Sequence, residues 1–310
     1  MPTADEPTPV VTVEGLTRRF GSQRGVTDVS FQVADGEVFG FLGPNGAGKS
    51  TTIRLLLGLY RPTSGRTRVF GLDPLTDSVE IHRRVGYLPG ELALFPQLTG
   101  RQHLDRLGRM RAMTDLRYRD ELVGRFSAEL DRPVRTLSKG NRQKIGLVLA
   151  FMHRPALLVL DEPTSGLDPL LQDQFARLVR ETVADGRTVF LSSHELDEVQ
   201  RVVDRLAIIK DGRIVVTDTV AGLRRAAPRT VEFRFANTVD PRPFADLDGV
   251  RVVDNADGRI VLSITGPVAA LLHLAASLDP VDMTARPADL DELFLSYYRS
   301  GAQTEADHAR

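Results

Sequence analysis

The 310-residue sequence contains no cysteine, and its positive and negative charges nearly cancel. The absence of cysteine excludes a disulfide framework, a thiolate metal site and a cysteine nucleophile. A formal net charge of -1 gives no electrostatic reason to expect nucleic acid or an anionic membrane surface as the main partner. Hydrophobic residues make up 42% of the chain and charged residues 26%, which is ordinary for a globular protein.

Long apolar runs and a secretion signal are lacking as well. The uncharged stretch Ile260–Leu278 is interrupted by Gly266-Pro267, so it predicts a strand, a turn and a helix. A spanning helix would need about 20 unbroken apolar residues. Residues 1–9 have neither a basic start nor an apolar region, so they are not a signal peptide. We expect short disordered tails at residues 1–9 and 301–310, and a soluble or peripheral protein.

Strand and helix patterns alternate over residues 10–222, which we expect to form one domain. The apolar runs Val38–Leu42, Ala156–Leu160 and Thr188–Ser192 predict buried strands, with helices between them. This alternation predicts an α/β fold with a mainly parallel sheet covered on both faces. Asp211-Gly212 lies between two further strand runs and predicts a hairpin, which adds antiparallel strands.

The middle of this domain has a different pattern. Residues 74–135 are arginine-rich and show helical periodicity without buried strand runs. Thr99 and Gln102 form a capping-box pair that predicts the start of a helix. We therefore expect a helical subdomain inserted into the strand-rich core.

A second, smaller domain is expected at residues 223–300. Its pattern has the order βαββαβ plus a terminal helix, which is typical of a small α+β domain of the ferredoxin-like type. The predicted elements are Thr230–Phe235, a short helix near Phe244–Leu247, Val250–Val253, Arg259–Ile264, the helix Val268–Leu278, Val281–Ala285 and the helix Ala288–Tyr298.

A glycine-rich motif predicts a phosphate-binding loop (P-loop). The sequence Gly43-Pro-Asn-Gly-Ala-Gly-Lys-Ser50 fits G-x-x-x-x-G-K-[ST] between a predicted strand and a predicted helix. Its backbone N–H groups and the helix N-terminus would surround the phosphates of ATP. We expect Lys49 to bridge the β- and γ-phosphates, Ser50 to bind Mg²⁺ and Thr51 to contact a phosphate. The ATP-binding residues predicted here are Gly43, Pro44, Asn45, Gly46, Ala47, Gly48, Lys49, Ser50 and Thr51.

Two adjacent acids follow the next buried strand, in the position called Walker B. Neighbouring side chains on a strand point in different directions, so Asp161 and Glu162 can have different roles. We expect Asp161 to hold Mg²⁺ with Ser50, and Glu162 to act as the general base on the attacking water. His194 follows another strand end and would position that water near the γ-phosphate. The predicted catalytic residues are therefore Glu162, His194 and Lys49.

The segment Leu137-Ser138-Lys139-Gly140-Asn141, ending 20 residues before Asp161, resembles the signature of ABC transporter ATPases. Other P-loop NTPases lack this signature. The resemblance covers about residues 10–220 and implies the P-loop NTPase core of ABC type. It also implies that Ser138, Lys139, Gly140 and Asn141 contact the ATP of a second subunit. Phe20 lies where an aromatic ring stacks on adenine. Four residues resemble the D-loop, which passes between subunits: Ser165, Gly166, Leu167 and Asp168.

The sequence also departs from the family pattern. Gly90 stands where most members carry a glutamine that contacts Mg²⁺ or water, and either Glu91 substitutes for it or the contact is lost. Lys139 and Asn141 replace the commoner glycine and glutamine of the signature, which leaves the backbone donors available. The segment Pro287–Leu295 resembles the tail of ABC-2-type exporter ATPases, the drug- and antibiotic-resistance group.

The resemblance implies an ATPase that uses ATP and Mg²⁺ as the motor of an ABC transporter, namely an ABC-2-type exporter. It further implies a homodimer, or a pair with a similar ATPase, that clamps ATP between its subunits and drives a separately encoded multi-spanning permease. The chain would then lie on the cytoplasmic face of the cell membrane. Two alternatives stay open: a soluble ABC ATPase without a transport role, and a non-catalytic ATP-sensing regulatory subunit. The transported substrate is not encoded in this chain.

Overall fold

The computed structural model describes residues 9–21 and 23–286. The described chain divides into two compact units, with the boundary between Asp218 and Thr219. Several predicted features lie outside the described residues: all but residue 9 of the predicted tail 1–9, the tail 301–310, the helix Ala288–Tyr298 and the exporter-like segment Pro287–Leu295. Within residues 9–21 and 23–286, no helix has the length and apolar character needed to cross a membrane.

The first unit combines nine strands with seven helices among the described residues. Its strands are β1 (Val11–Phe20), β2 (Gln23–Val33), β3 (Val38–Leu42), β4 (Ser64–Val69), β5 (Val85–Leu88), β6 (Leu157–Asp161), β7 (Thr188–Ser193), β8 (Arg205–Lys210) and β9 (Arg213–Thr219). Its helices are α1 (Lys49–Leu56), α2 (Ser78–Arg84), α3 (Gly100–Met110), α4 (Arg117–Phe126), α5 (Lys139–Phe151), α6 (Pro169–Ala184) and α7 (Leu196–Val199).

The main sheet has six strands in the order β5-β6-β7-β3-β8-β9. The neighbours from β5 to β8 are parallel, and β3, β6 and β7 are buried along their whole length. Asp211 and Gly212 join β8 to β9 with φ angles of 48° and 77°, as a two-residue hairpin turn requires. The mainly parallel sheet and the hairpin predicted from the sequence are therefore confirmed.

A cluster of phenylalanine rings forms the centre of the first unit. Phe190 of β7 lies 5.9 Å from Phe31, 5.9 Å from Phe39 and 5.6 Å from Phe41, measured between ring centroids. Phe31 belongs to β2 of the antiparallel sheet β2-β1-β4, which shares this apolar core with the main sheet. The rings thus join the two sheets in one apolar core, with Phe39 and Phe190 paired between β3 and β7.

One sequence prediction about the middle region is wrong. Residues 74–135 do contain a buried strand, because β5 pairs in parallel with β6 from Val85↔Leu157 to Leu88↔Leu160. Only four residues long and flanked by helices, β5 has no periodicity of its own, and its pairing with β6 makes it a strand. The capping box of Thr99 and Gln102 at the start of α3 is confirmed.

The second unit has the predicted order βαββαβ, preceded by one helix. Its elements are α8 (Val220–Ala226), β10 (Arg229–Arg234), α9 (Arg242–Ala245), β11 (Val250–Ala256), β12 (Arg259–Ile264), α10 (Ala269–Ser277) and β13 (Asp282–Arg286). The strands form an antiparallel sheet in the order β11-β12-β10-β13. Phe233, Phe244, Leu262 and Leu271 are buried in its core. This arrangement confirms the ferredoxin-like domain.

Candidate functional site

The glycine-rich loop joins β3 to α1 and folds around the side chain of its own lysine. Gly48, the residue before α1, has a φ of 110°, and a Cβ atom there would lie 2.7 Å from Val26 Cγ1, so only glycine fits. Lys49 Nζ donates to the carbonyl oxygens of Gly43 at 2.6 Å and Pro44 at 3.2 Å. The ammonium group is thereby held on the inner side of the loop, where a phosphate would bind.

The two adjacent acids leave β6 in different directions. Asp161 is 2% exposed, and Ser192 on the neighbouring strand β7 donates its hydroxyl to Asp161 Oδ1 at 2.5 Å. Glu162 has a φ of 51°, in the left-handed region, and its backbone N–H points to the carbonyl oxygen of Ser192 at 3.2 Å. The chain therefore turns sharply between the two residues and separates their carboxylates.

The three predicted catalytic residues meet at the Glu162 carboxylate. Lys49 Nζ lies 3.1 Å from Glu162 Oε1, and His194 Nδ1 lies 2.7 Å from Glu162 Oε2. Because a carboxylate oxygen only accepts hydrogen bonds, Nδ1 is the donor nitrogen of His194. The side chain of Glu162 is 19% exposed and that of His194 is 43% exposed. A half-open site with a base, an imidazole and an ammonium group is suited to placing a water molecule against a phosphate.

A cavity lies between the P-loop and these acids. Its lining includes Gly25 and Arg54, which the sequence did not point to, together with Gly90 and Glu91 from the segment where most family members carry a glutamine. Arg54 follows Ser50 by four residues on α1, a spacing that places both on one helix face. The predicted residues in the lining are Pro44, Asn45, Gly46, Gly48, Lys49, Ser50, Thr51, Asp161 and Glu162.

Gly90, in place of the usual glutamine, lies directly against Asp161. A Cβ atom on Gly90 would be 3.1 Å from Asp161 Oδ2. Tyr87 on β5 lies close enough to Asp161 and Arg54 to feel their charges. Burial, and then the negative charge of Asp161, raise the pKa of the Tyr87 hydroxyl, and Arg54 lowers it. The end of β5 therefore forms one wall of the site, although its strand character was not predicted.

Phe20 lies apart from the cavity lining. It stands at the end of β1, half-buried, with its ring edge-to-face against Tyr60 at a centroid distance of 5.5 Å. The Arg18 guanidinium carbon lies 4.8 Å from the centroid of the same ring. One face of Phe20 is thus engaged within the chain, and its stacking on adenine stays a prediction.

The signature residues form the start of α5. Ser138 is the N-cap, and its hydroxyl accepts from the backbone N–H of Asn141 at 3.1 Å. Asn141 is buried, and its amide bonds both the N–H and the carbonyl of Glu129 at 2.8 Å. Lys139 Nζ donates to the Ser165 hydroxyl at 3.0 Å. The side chains of Asn141 and Lys139 therefore have partners in their own chain, and Ser138 and Gly140 remain at the helix end.

The D-loop segment, residues 165–168, lies against this helix start. Gly166 has a φ of 79°, and a Cβ atom on Gly140 would be 2.7 Å from the Gly166 carbonyl oxygen. Leu167 is buried, and Asp168 caps α6 by accepting from the backbone N–H of Leu171 at 3.0 Å. The structure thus brings the signature and the D-loop together within one chain.

Comparison with known proteins gives the family. The family model for "ABC transporter" matches residues 26–165. The chain is 35% identical over 232 residues to the bacitracin transport ATP-binding protein BcrA of Bacillus licheniformis, a match that spans 74% of this chain and 76% of that protein. It is 34% identical to the daunorubicin resistance ATP-binding protein DrrA2 of Streptomyces coeruleorubidus, over 97% of this chain and 98% of that protein. The chain belongs to the ABC transporter family.

Solved structures of ABC ATP-binding subunits agree with this family. An ATP-binding subunit of an ABC transporter superposes with a TM-score of 0.64 at 31% identity, over 70% of this chain and 92% of that chain. A dimeric ATP-binding cassette with ADP and phosphate shares the fold, with a TM-score of 0.60 at 20% identity over 68% and 98% of the two chains. The ABC subunit is an ATPase that binds ATP and supplies the energy for transport. ABC ATP-binding subunits act as dimers together with membrane permeases.

Proposed function

We propose that this ABC subunit is the motor of an ABC-2-type exporter, in which two ATP molecules join two subunits head to tail. The observation that carries the proposal is that Lys49 and His194 both contact the Glu162 carboxylate beside the P-loop. Relatives named for bacitracin transport and daunorubicin resistance support export as the direction. Within this proposal residues 10–222 form the nucleotide-binding domain and residues 223–300 form an accessory domain.

Mg²⁺ fits the oxygen groups of Asp161 and Ser50. Both residues line the same cavity, and the Ser192 hydroxyl already holds Asp161 Oδ1. Asp161 Oδ2 lies on the side of Gly90 and would take the ion. One carboxylate and one hydroxyl, completed by phosphate oxygens and water, are the ligands that Mg²⁺ takes in nucleotide sites. The ion would neutralise part of the phosphate charge.

Glu162 is proposed as the general base. Its carboxylate is held from two sides, by Lys49 and by His194, and it faces the cavity that contains the P-loop. A triphosphate entering the loop competes with Glu162 for the Lys49 ammonium group. Release of Oε1 from Lys49 leaves that oxygen to accept the proton of the attacking water, with His194 fixing the other oxygen. General-base catalysis of this kind contributes about 10²–10⁴ in rate.

The α5 N-terminus is proposed to bind the γ-phosphate of the partner subunit. α5 has 13 residues, and its first N–H groups and helix dipole favour an anion. Ser138 and Gly140 lie at that end, and nothing larger than glycine fits between residue 140 and the Gly166 carbonyl. Each complete ATP site then needs the P-loop of one subunit and the α5 end of the other.

Mixing two inactive variants tests the head-to-tail arrangement. Lys49→Ala removes the P-loop ammonium group, and Ser138→Arg blocks the α5 end. Each variant alone is expected to be inactive. A heterodimer has one composite site in which both changes fall and one site that carries neither, so ATPase activity should return when the two are mixed. If the mixture remains inactive although the two variants form a heterodimer, the shared-site proposal is wrong.

Recovery from native membranes tests the exporter proposal. Tagged Glu162→Gln protein would be expressed in its host, solubilised gently with ATP, and its co-purifying proteins identified. A multi-spanning protein in stoichiometric amount is expected, together with peripheral attachment of the subunit to the cytoplasmic face. Recovery only as a soluble dimer, or with repair or ribosomal proteins, would contradict the exporter proposal and leave the ATPase intact.

A further inference from the structure

We propose that Gln143 is a positioning residue for Glu162, through which the signature helix α5 sets the general base of its own subunit. The inference rests on the proposed role of Glu162 as that base. Gln143 lies on the second turn of α5, and its side chain is buried. It belongs to none of the motifs that the sequence analysis singled out.

Gln143 holds the backbone on the carbonyl side of Glu162. Its Nε2 donates to the carbonyl oxygen of Glu162 at 3.2 Å and to that of Pro163 at 2.9 Å. A single buried amide group therefore fixes two consecutive carbonyls. The Glu162 carbonyl is partly buried and also accepts from the backbone N–H of Ser165 at 3.2 Å. Gln143 therefore adds a second donor to that carbonyl and a buried donor to the carbonyl of Pro163.

The backbone of Glu162 needs such support. Its φ of 51° lies in the left-handed region, which residues with a Cβ atom rarely adopt. Such a conformation persists only where surrounding contacts hold the backbone in place. Its N–H group is held by the carbonyl and hydroxyl oxygens of Ser192, both at 3.2 Å. Gln143, together with the Ser165 N–H, holds the opposite end of the residue. Without Gln143, Glu162 can relax to an ordinary φ, which turns its carboxylate away from Lys49 and His194.

The same face of α5 makes two further contacts with the segment that follows Glu162. Lys139 lies four residues before Gln143 and Gly140 three residues before it, so each shares a side of the helix with Gln143. Lys139 bonds the hydroxyl of Ser165, and Gly140 packs on the carbonyl of Gly166. A nucleotide that binds the α5 end from the partner subunit therefore acts on the base of the opposite site, through Gln143.

The first test replaces the amide while keeping the volume. Gln143→Leu has a side chain of similar size and no N–H donor, and Gln143→Met keeps an unbranched chain should the leucine variant not fold. Since a misplacement of about 1 Å costs about 100-fold in rate, we expect kcat to fall about 10- to 100-fold. The KM for ATP should stay within about twofold, because the groups that bind ATP are unchanged.

A double-mutant cycle separates positioning from general loss of structure. If Gln143 acts through Glu162, Gln143→Leu should reduce the residual single-turnover rate of Glu162→Gln protein by less than about twofold. ATP-dependent dimerisation of that protein, measured by gel filtration, should also be retained. Equal losses of rate in both backgrounds would overturn the proposal.

Thr182→Val serves as the matched control. Thr182 is fully buried, and its hydroxyl donates to the Leu178 carbonyl within α6, at 2.7 Å. The control should lower the melting temperature without changing kcat. If Gln143→Leu lowers kcat no more than Thr182→Val does, the positioning proposal is wrong. If Glu162→Gln keeps wild-type turnover, the proposed base is wrong instead, and the two failures are thus distinguishable.

Discussion

Replacing Gly90 by alanine adds one methyl group beside the proposed metal ligand. The new Cβ atom would lie 3.1 Å from Asp161 Oδ2 and 3.3 Å from Asp161 Cγ, whereas ordinary contacts begin at 3.4 Å. The carboxylate must therefore retreat by 0.3 Å, the difference between 3.4 and 3.1 Å. Gly90 itself is not in the left-handed region, so alanine brings no backbone strain of its own.

Asp161 cannot make this adjustment freely. It is 2% exposed, and its other oxygen accepts from Ser192. If a displacement of about 1 Å costs about 100-fold, 0.3 Å corresponds to a loss of about fourfold in kcat. Gly90→Gln restores the usual family residue but carries the same Cβ atom. We therefore expect it to lose at least as much activity as Gly90→Ala.

The assay is steady-state ATP turnover at saturating ATP with Mg²⁺ titrated, which gives kcat and the apparent Mg²⁺ affinity together. Both should fall in Gly90→Ala, because the shifted carboxylate is the proposed Mg²⁺ ligand. Gly124→Ala is the matched control, since no atom lies within 4 Å of a Cβ atom at that helix position. Wild-type kinetics in Gly90→Ala, or a gain of activity in Gly90→Gln, would refute the reasoning.

Three further changes test the site and the fold. Glu162→Gln should lower ATP turnover about 10²–10⁴-fold; a loss below tenfold in a coupled ATPase assay would contradict its role as base. Burial, and secondarily the positive charge of Arg111, lower the pKa of His153 from 6.5 to about 4 in the folded protein. Between pH 6.5 and pH 4 the imidazole is therefore protonated mainly in the unfolded chain, so the folded state loses stability as the pH falls through this range. Stability should thus drop by about 2 kcal/mol from pH 7 to pH 5, and His153→Gln should remove that part of the drop in urea unfolding. Phe190→Ala should cost about 3–5 kcal/mol of unfolding free energy in the same assay, and a cost below 1 kcal/mol would contradict the packing of the ring cluster.

Local sequence patterns predicted the parts of the fold that depend on local chemistry. The P-loop needs glycine at residue 48, the α3 start needs the reciprocal Thr99–Gln102 bonds, and the β8–β9 hairpin needs positive φ at Asp211 and Gly212. In each case a few neighbouring residues determine the conformation, so the sequence shows it directly. The βαββαβ order of the second unit was predicted because stretches with the two-residue periodicity of strands alternate with stretches of helical periodicity.

Features that depend on distant partners could not be predicted in this way. β5 is a strand because β6 lies beside it, and the two are separated by the whole helical region. The bonds of Lys139 to Ser165 and of Gln143 to the Glu162 carbonyl join segments that are 26 and 19 residues apart. Nothing in the residue types of this part of the chain indicates which polar groups will meet. The amide of Asn141 likewise bonds Glu129, 12 residues away along the chain, and its contact with a partner's ATP stays a prediction.

The pairing of Lys49 with Glu162 has a consequence for the charge balance of the site. The positive charge of the P-loop lysine already has a counterion in its own chain, 3.1 Å away. A bound triphosphate that takes over this lysine, as proposed, leaves Glu162 without that counterion, and Asp161 adds a further negative charge to the site. Arg54 in the cavity lining supplies part of the balancing positive charge, and within the proposed function a metal ion and the α5 end of the partner would supply the rest. Within that proposal the partner subunit acts as a counterion, and the two subunits would separate when the phosphate charge is divided by hydrolysis.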